Sequence, residues 1–218
     1  MITRLICLIM GYVFGLFQTG YIYGRAHGID IREYGSHNSG TTNTLRVLGT
    51  RAGLIVLLGD AFKCIIAIMI TRLLFGENHR EIIYLLCIYT AAGCVLGHNF
   101  PFYMNFKGGK GIAVTAGLIL SFHPYFAIVG IIVFFGIFFT THYVSLGSLT
   151  VYAVFLIQMI ICGQLGLFPD MTQAELAEMY IITFLLAVMA FWRHRENIKR
   201  LVQGNERKTY LTKKNKVE

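Results

Sequence analysis

The sequence predicts an all-α integral membrane protein with seven transmembrane helices, its N-terminus outside and its C-terminus in the cytoplasm. Three observations predict it. The 218 residues are 56% hydrophobic and only 14% charged, whereas soluble domains carry about a quarter charged residues. The apolar residues fall in runs long enough to cross a bilayer as helices, which takes roughly 20 residues. The Lys and Arg residues collect between those runs, and their distribution assigns each loop a side.

The first run, residues 5–24, is uncharged. It follows Arg4 as the core of a signal peptide would, but no small-residue cleavage site follows, so it reads as a retained span. Residues 52–75 form a second run, which carries Asp60, Lys63 and Arg72, and residues 82–97 a third, shorter one. Residues 111–169 contain no Asp, Glu, Lys or Arg, and those 59 positions exceed a single span. Natural breaks at 121–124 and 141–143 divide them into three. Residues 179–192 make the last run, ahead of a basic end.

Charge sets the parity. Arg25, Arg32, Arg46 and Arg51 mark the first loop, Lys107 and Lys110 the third, and nine Lys and Arg occupy residues 193–218. All three regions belong on the cytoplasmic side, which requires an odd number of crossings between 111 and 169. With three there, the total is seven. Cytoplasmic regions then hold 15 Lys and Arg and outer regions three, Arg4, Arg72 and Arg80. Residues 1–200 read as one polytopic domain and 201–218 as a basic cytoplasmic tail, whose last dozen residues either fray or lie on anionic headgroups.

Composition also excludes function classes. The net charge is +8, but the basic residues are spread over loops and form no stripe for nucleic acid. The five cysteines lie singly inside apolar runs, so no zinc site and no disulfide framework is indicated. No metal or other cofactor is expected.

Three polar clusters share the cytoplasmic face. The first is "DIREYGSHNSGTTNTLRVLG", residues 30–49. Its glycines let successive N–H groups converge on an anion, its hydroxyls and amides add donors, and Arg46 adds a planar cation suited to phosphate. The second is "GHNFPFYMNFKGGKG", residues 97–111, where Lys107 and Lys110 are interleaved with Gly108, Gly109 and Gly111. It is not a P-loop: Gly111 follows the Gly109–Lys110 pair where Ser or Thr is required, and Met104 stands where the earlier glycine belongs. The third joins "HYVSLGS", residues 142–148, to "HRENIKR", residues 194–200. His194 and Asn197, three apart, share a helical face at the membrane boundary, and Ser145 and Ser148 offer hydroxyls. Asp60 and Lys63, also three apart, read as an intramembrane ion pair. Two glycine-rich cationic loops beside greasy helices point to an enzyme that joins a phosphate-bearing headgroup to an acyl chain.

With these residues in hand, the chain resembles the bacterial membrane glycerol-3-phosphate acyltransferases that use acyl phosphate as donor. The resemblance runs nearly end to end. It rests on the first cluster, on "GDAFK" in the second span, on the glycine loop, on "SLGS", and on "FWRHRENIKRLVQGNE". It implies seven spans and a cytoplasm-facing site in the bacterial inner membrane. It implies transfer of a fatty acyl group from acyl phosphate to the 1-hydroxyl of glycerol 3-phosphate, giving lysophosphatidic acid and phosphate, the first acylation of phospholipid synthesis. Lys107, Ser145, His194 and Asn197 are the implied catalytic positions. Ser36, Asn38, Gly40, Thr42, Asn43, Arg46, Gly108, Gly109 and Lys110 are the implied substrate- and phosphate-binding ones. The implied partners are glycerol 3-phosphate, acyl phosphate and membrane lipid, with the enzyme supplying acyl phosphate and the next acyltransferase as pathway neighbours. The chain departs from the family pattern at His37, Ser39 and Thr41, where Gly, Ile or Pro, and Ala are more usual, and at Gly147.

A transporter for a phosphate-bearing anion would also suit many spans and the Asp60–Lys63 pair, but the polar groups gather on one face only. A phosphatidyl-alcohol transferase would need several aspartates on a span to hold metal ions, and Asp60 stands alone there.

Overall fold

The computed structural model describes residues 1–211, and among these every regular element is helical. Helix α1 (Ile2–Gly15) and α2 (Thr19–Ala26) together make the first apolar segment, and α3 (Thr41–Leu48) lies in the loop that follows. Then come α4 (Thr50–Phe75), α5 (Ile83–Asn99), α6 (Ile112–Phe122), α7 (Pro124–Thr141), α8 (Val144–Gln164), α9 (Gln173–Arg193) and α10 (Arg195–Val202). Six segments are long and apolar enough to cross a membrane; α6 is apolar but has 11 residues, about 16 Å of helix at 1.5 Å per residue.

The breaks expected inside the uncharged stretch occur where anticipated. Pro124 sits in the first turn of α7, where its missing N–H costs nothing, and His142 ends that helix in the left-handed conformation. Helix α9 begins earlier than the apolar run does, because Thr172 and Glu175 form a reciprocal capping box that draws the acidic segment into its first turns. The first span is also interrupted. Gln18, 1% exposed, sits in the gap between α1 and α2 and donates its amide to the carbonyls of Gly15, Gly97 and His98. Non-helical backbone at this depth is tolerated because protein groups take up its polar atoms.

Helices α1 and α5 run parallel and in closest contact. A methyl group on Gly11 or Gly15 would collide with the backbone of Thr90 or Cys94, and one on Gly93 or Gly97 with that of Leu8 or Tyr12. A pair of glycines four residues apart on each helix lets the backbones approach, the usual device where lipid supplies no hydrophobic drive between helices. At the end where α1 begins, Arg4 makes two hydrogen bonds to Glu178 (2.9 and 3.0 Å), and Tyr89 donates to the same carboxylate. This joins α1, α5 and α9. An aromatic cluster of Tyr84, Phe122, Phe126, Phe155 and Phe168 fills the core nearby.

Asp60 and Lys63 do pair, at 2.9 Å, and both are nearly inaccessible. Thr19 donates to Asp60, while Lys63 donates to the carbonyls of Gly15 and Phe17 and lies 2.9 Å from His98 Nδ1. Each charge is thus compensated, as a buried pair must be. The cluster ties α4 to the gap after α1 and to the end of α5, directly beneath the glycine loop.

Candidate active site

The first loop is organised by Asn43. Its side-chain amide donates to the carbonyls of Ile31, Tyr34 and Asn38, and its oxygen accepts the Ser36 N–H at 2.8 Å. Asn38 in turn accepts the Gly40 N–H at 3.0 Å. The Asp30 carboxylate takes Arg25 and Arg32; hydrogen bonding from Arg32 holds it down at about 2, so it stays charged. These contacts leave Ser36 exposed and Thr42 half-buried at the first turn of α3.

The second loop is pressed onto the end of α5. Gly108 N–H donates to Asn99 and Gly109 N–H to His98, both at 3.1 Å. A side chain on Gly108 would strike the His98 carbonyl, and one on Gly109 the His98 ring. Gly111 adopts φ 81°, which glycine takes without strain, and opens α6. Arg193, the last residue of α9, donates to the carbonyls of Gly108 and Gly109 at 2.9 and 2.7 Å. The glycines are there because the loop backbone lies directly against the end of α5 and leaves its carbonyls open to the Arg193 side chain.

This packing sends the two lysines to different places. Lys107 is exposed and lines an open cleft of about 480 Å³ with Asp30, Arg32, Glu33, His37, Asn38, Gly108 and Arg193. Lys110 turns inward and donates to Asn197 Oδ1. Asn197 Nδ2 donates to Glu206 at 2.7 Å, Ser145 donates to the same carboxylate at 2.8 Å, and Arg200 does so at 2.8 Å. Burial pushes the Glu206 carboxyl up, but those three hydrogen bonds outweigh it and hold it below the usual carboxylate range. Burial pushes Lys110 down to about 8, reinforced by Arg200, Arg193 and Arg46 and opposed by Glu206.

His194 is 3% exposed. Its Nδ1 lies 2.7 Å from the Ala190 carbonyl, and a carbonyl only accepts, so Nδ1 carries the proton and Nε2 is the open nitrogen. Burial and then the Lys110 charge push this histidine down to about 4, so it is neutral at physiological pH. Arg46 donates to the Arg207 carbonyl and to Thr209 Oγ1. Thr209 N–H donates to the His142 carbonyl, which binds residues 207–209 across α3 and the start of α8.

Residues 5–204 match the family model for glycerol-3-phosphate acyltransferase. The chain belongs to that family. It is 37% identical to the glycerol-3-phosphate acyltransferase of Alkaliphilus metalliredigens (strain QYMF) over 206 residues, 94% of this chain and 95% of that one. Its fold superposes on the crystal structure of PlsY (YgiH), an integral membrane glycerol 3-phosphate acyltransferase, in the glycerol 3-phosphate form. There the TM-score is 0.81 and the identity 30%, covering 95% of this chain and 96% of that chain. The lysophosphatidic acid form of the same protein gives 0.78 and 29% over the same shares. The chain is a glycerol-3-phosphate acyltransferase by family and a multi-pass membrane protein by fold.

Within this acyltransferase six of the residues singled out from sequence fall into two groups, and Ser36, Gly40, Thr42, Asn43, Arg46, Gly109 and His194 belong to neither. Asn38, Lys107 and Gly108 border the open cleft, while Lys110, Ser145 and Asn197 converge with Glu206 in the buried cluster. Asn43 is committed to backbone groups and shapes the loop. Sequence reasoning passed over Glu206, Arg193 and Arg200. Their signal was present, since Arg193 and Glu206 begin and end the "RHRENIKRLVQGNE" part of the fifth motif. The basic tail starting at 201 includes part of the site: Glu206 is 8% and Thr209 2% exposed. Of the last dozen residues, expected to fray or lie on headgroups, 207–209 are instead held by Arg46 and the His142 carbonyl, and 212–218 lie outside the described residues.

Proposed function

We propose that the protein transfers a fatty acyl group from acyl phosphate to the 1-hydroxyl of glycerol 3-phosphate, releasing lysophosphatidic acid and phosphate. It does so on the cytoplasmic face of the bacterial inner membrane. The observation that carries this reading is the division of one short loop between two cationic environments, Lys107 in an open cleft and Lys110 in a buried polar cluster. Two phosphate-bearing substrates need two such places.

An acyl phosphate is already activated, so the enzyme has to align hydroxyl and carbonyl carbon and stabilise the charge that develops. In this reading Asn38, Lys107 and the neighbouring Ser36, Gly40 and Thr42 hold a phosphate. Lys110, Asn197 and Ser145 face the reacting carbonyl and the departing phosphate, with Arg46 adding positive charge. His194 at about 4 is a poor base near neutrality, so its Nε2 accepts and orients the attacking hydroxyl while the leaving phosphate takes the proton. Asp60 and Lys63, fully engaged by protein groups, are structural.

The proposed topology has seven crossings, N-terminus outside and C-terminus in the cytoplasm. Helix α6 supports it despite its length. It starts beside the glycine loop, and its last carbonyl, that of Phe122, accepts from Arg72 near the end of α4. It therefore carries the chain from the site face to the level where α4 finishes.

The test is synthesis of lysophosphatidic acid by purified protein in detergent from palmitoyl phosphate and glycerol 3-phosphate, with EDTA present and palmitoyl-CoA as a parallel donor. Product from acyl phosphate alone is expected. Product from palmitoyl-CoA and none from palmitoyl phosphate would overturn the donor assignment, and none from either would overturn the reaction.

A further inference from the structure

His37 adopts φ 56°, the left-handed region that glycine occupies freely and a residue with a side chain enters only at a cost. Strain held in place at a ligand-facing position is a pointer to function. Here the side chain has a definite use. Nδ1 lies 3.0 Å from the Arg32 carbonyl, which can only accept, so Nδ1 carries a proton. That leaves Nε2 for the cleft, as a lone pair when the ring is neutral and as a donor when it is protonated. The ring is exposed and borders the same cavity as Lys107.

The charges around this cavity come from three elements. Arg32, Glu33 and Asp30 belong to the first loop, Lys107 to the second, and Arg193 to the end of α9. Asp30 is occupied by its two arginines, so an anion entering the cleft meets Lys107, Arg193 and Arg32 against Glu33. We propose that His37 is a substrate-binding residue of this cleft, whose Nε2 donates to a phosphate-monoester oxygen as an imidazolium. The neutral ring would turn a lone pair toward the anion, so the contact is made by the imidazolium alone. This inference rests on the acyltransferase reading above.

The test compares full-length wild type, His37→Gln and His37→Gly in detergent, varying glycerol 3-phosphate and palmitoyl phosphate separately. KM for one of the two substrates is expected to be about fivefold higher in His37→Gln than in wild type, with kcat within about twofold. The substrate whose KM responds identifies the phosphate in the cleft. His37→Gly relieves the backbone strain, so its Tm is expected to hold or rise while its KM increases. A KM ratio of one for both substrates would overturn the proposal, as would a fall in Tm of both variants with KM unchanged, which marks a purely structural residue. Wild type inactive with both donors would remove the acyltransferase reading and this proposal together; an active wild type matched by His37→Gln removes this proposal only.

Discussion

Lys107 and Lys110 stand three residues apart on one loop, yet they live in opposite surroundings. Lys107 is exposed at the rim of an open cleft. Lys110 is drawn inward, donates to Asn197, and is pushed down to about 8 by burial. The cause is backbone geometry. Gly108 and Gly109 lie against the end of α5 with no room for side chains, and the turn at Gly111 sends the chain down into α6. One lysine is therefore left to water and the other delivered to a buried network. An exposed cation can capture an anion at long range but is screened, whereas a desolvated one interacts more strongly and can lose its proton near physiological pH.

The largest test of this contrast is removal of Glu206, which holds Ser145, Asn197 and Arg200 together. Glu206→Ala leaves those groups without their common acceptor and is expected to cost about 3 kcal/mol of stability and to abolish turnover, read as a lowered Tm and loss of lysophosphatidic acid formation. Retention of both would show that the buried cluster does not depend on it. Next in size is Lys107→Ala. One lost charge-stabilising donor is worth about 10²–10³ in rate, and because the residue is exposed the Tm is expected to move by less than ~2 °C. A large drop in Tm would erase the distinction between the two lysines.

The third test is pH. If protonated Lys110 is the active form, the rate falls as pH rises through about 8, about tenfold per unit beyond it. Its folded value is below the ordinary 10.5, so between those values the unfolded chain binds more protons and stability rises with pH. Loss of rate in that window is then not unfolding, which a Tm measured in parallel checks. Lys110→Arg keeps its charge and is expected to move this limb upward. The smallest effect is that of Gly108→Ala. The added methyl must displace the His98 carbonyl, and the expected result is a KM raised about tenfold for the substrate held in the cleft, near the cost of modest overpacking.

The outline of the fold was legible because bilayer crossing is written in composition. The uncharged stretch, Pro124 and the polar gap at 141–143 divided α6, α7 and α8 within a residue or two. Helix α3 was not legible, since "TTNTLRVL" lacks a long apolar period and is held by Asn43 and by packing on α4. The break at Gln18 was also missed: no proline or charge marks it, and its reason is three carbonyls, two of them on α5. In the site, Lys107, Lys110, Arg46 and the loop glycines announced themselves by type, while Arg193 and Arg200 were hidden among the other basic residues after the last span. Glu206 did not announce itself, because it acts through Ser145, which lies 61 positions away in the chain.

That last contact has a consequence for how the protein is made. Chains emerge from the ribosome N-terminus first, so residues 206–209 leave it only after every apolar segment has. Glu206 and Thr209 can then close over Ser145, Asn197 and Arg46. A product cut short after α10 is expected to insert and remain inert. Assembly of the buried cluster therefore waits on a segment that follows the last span.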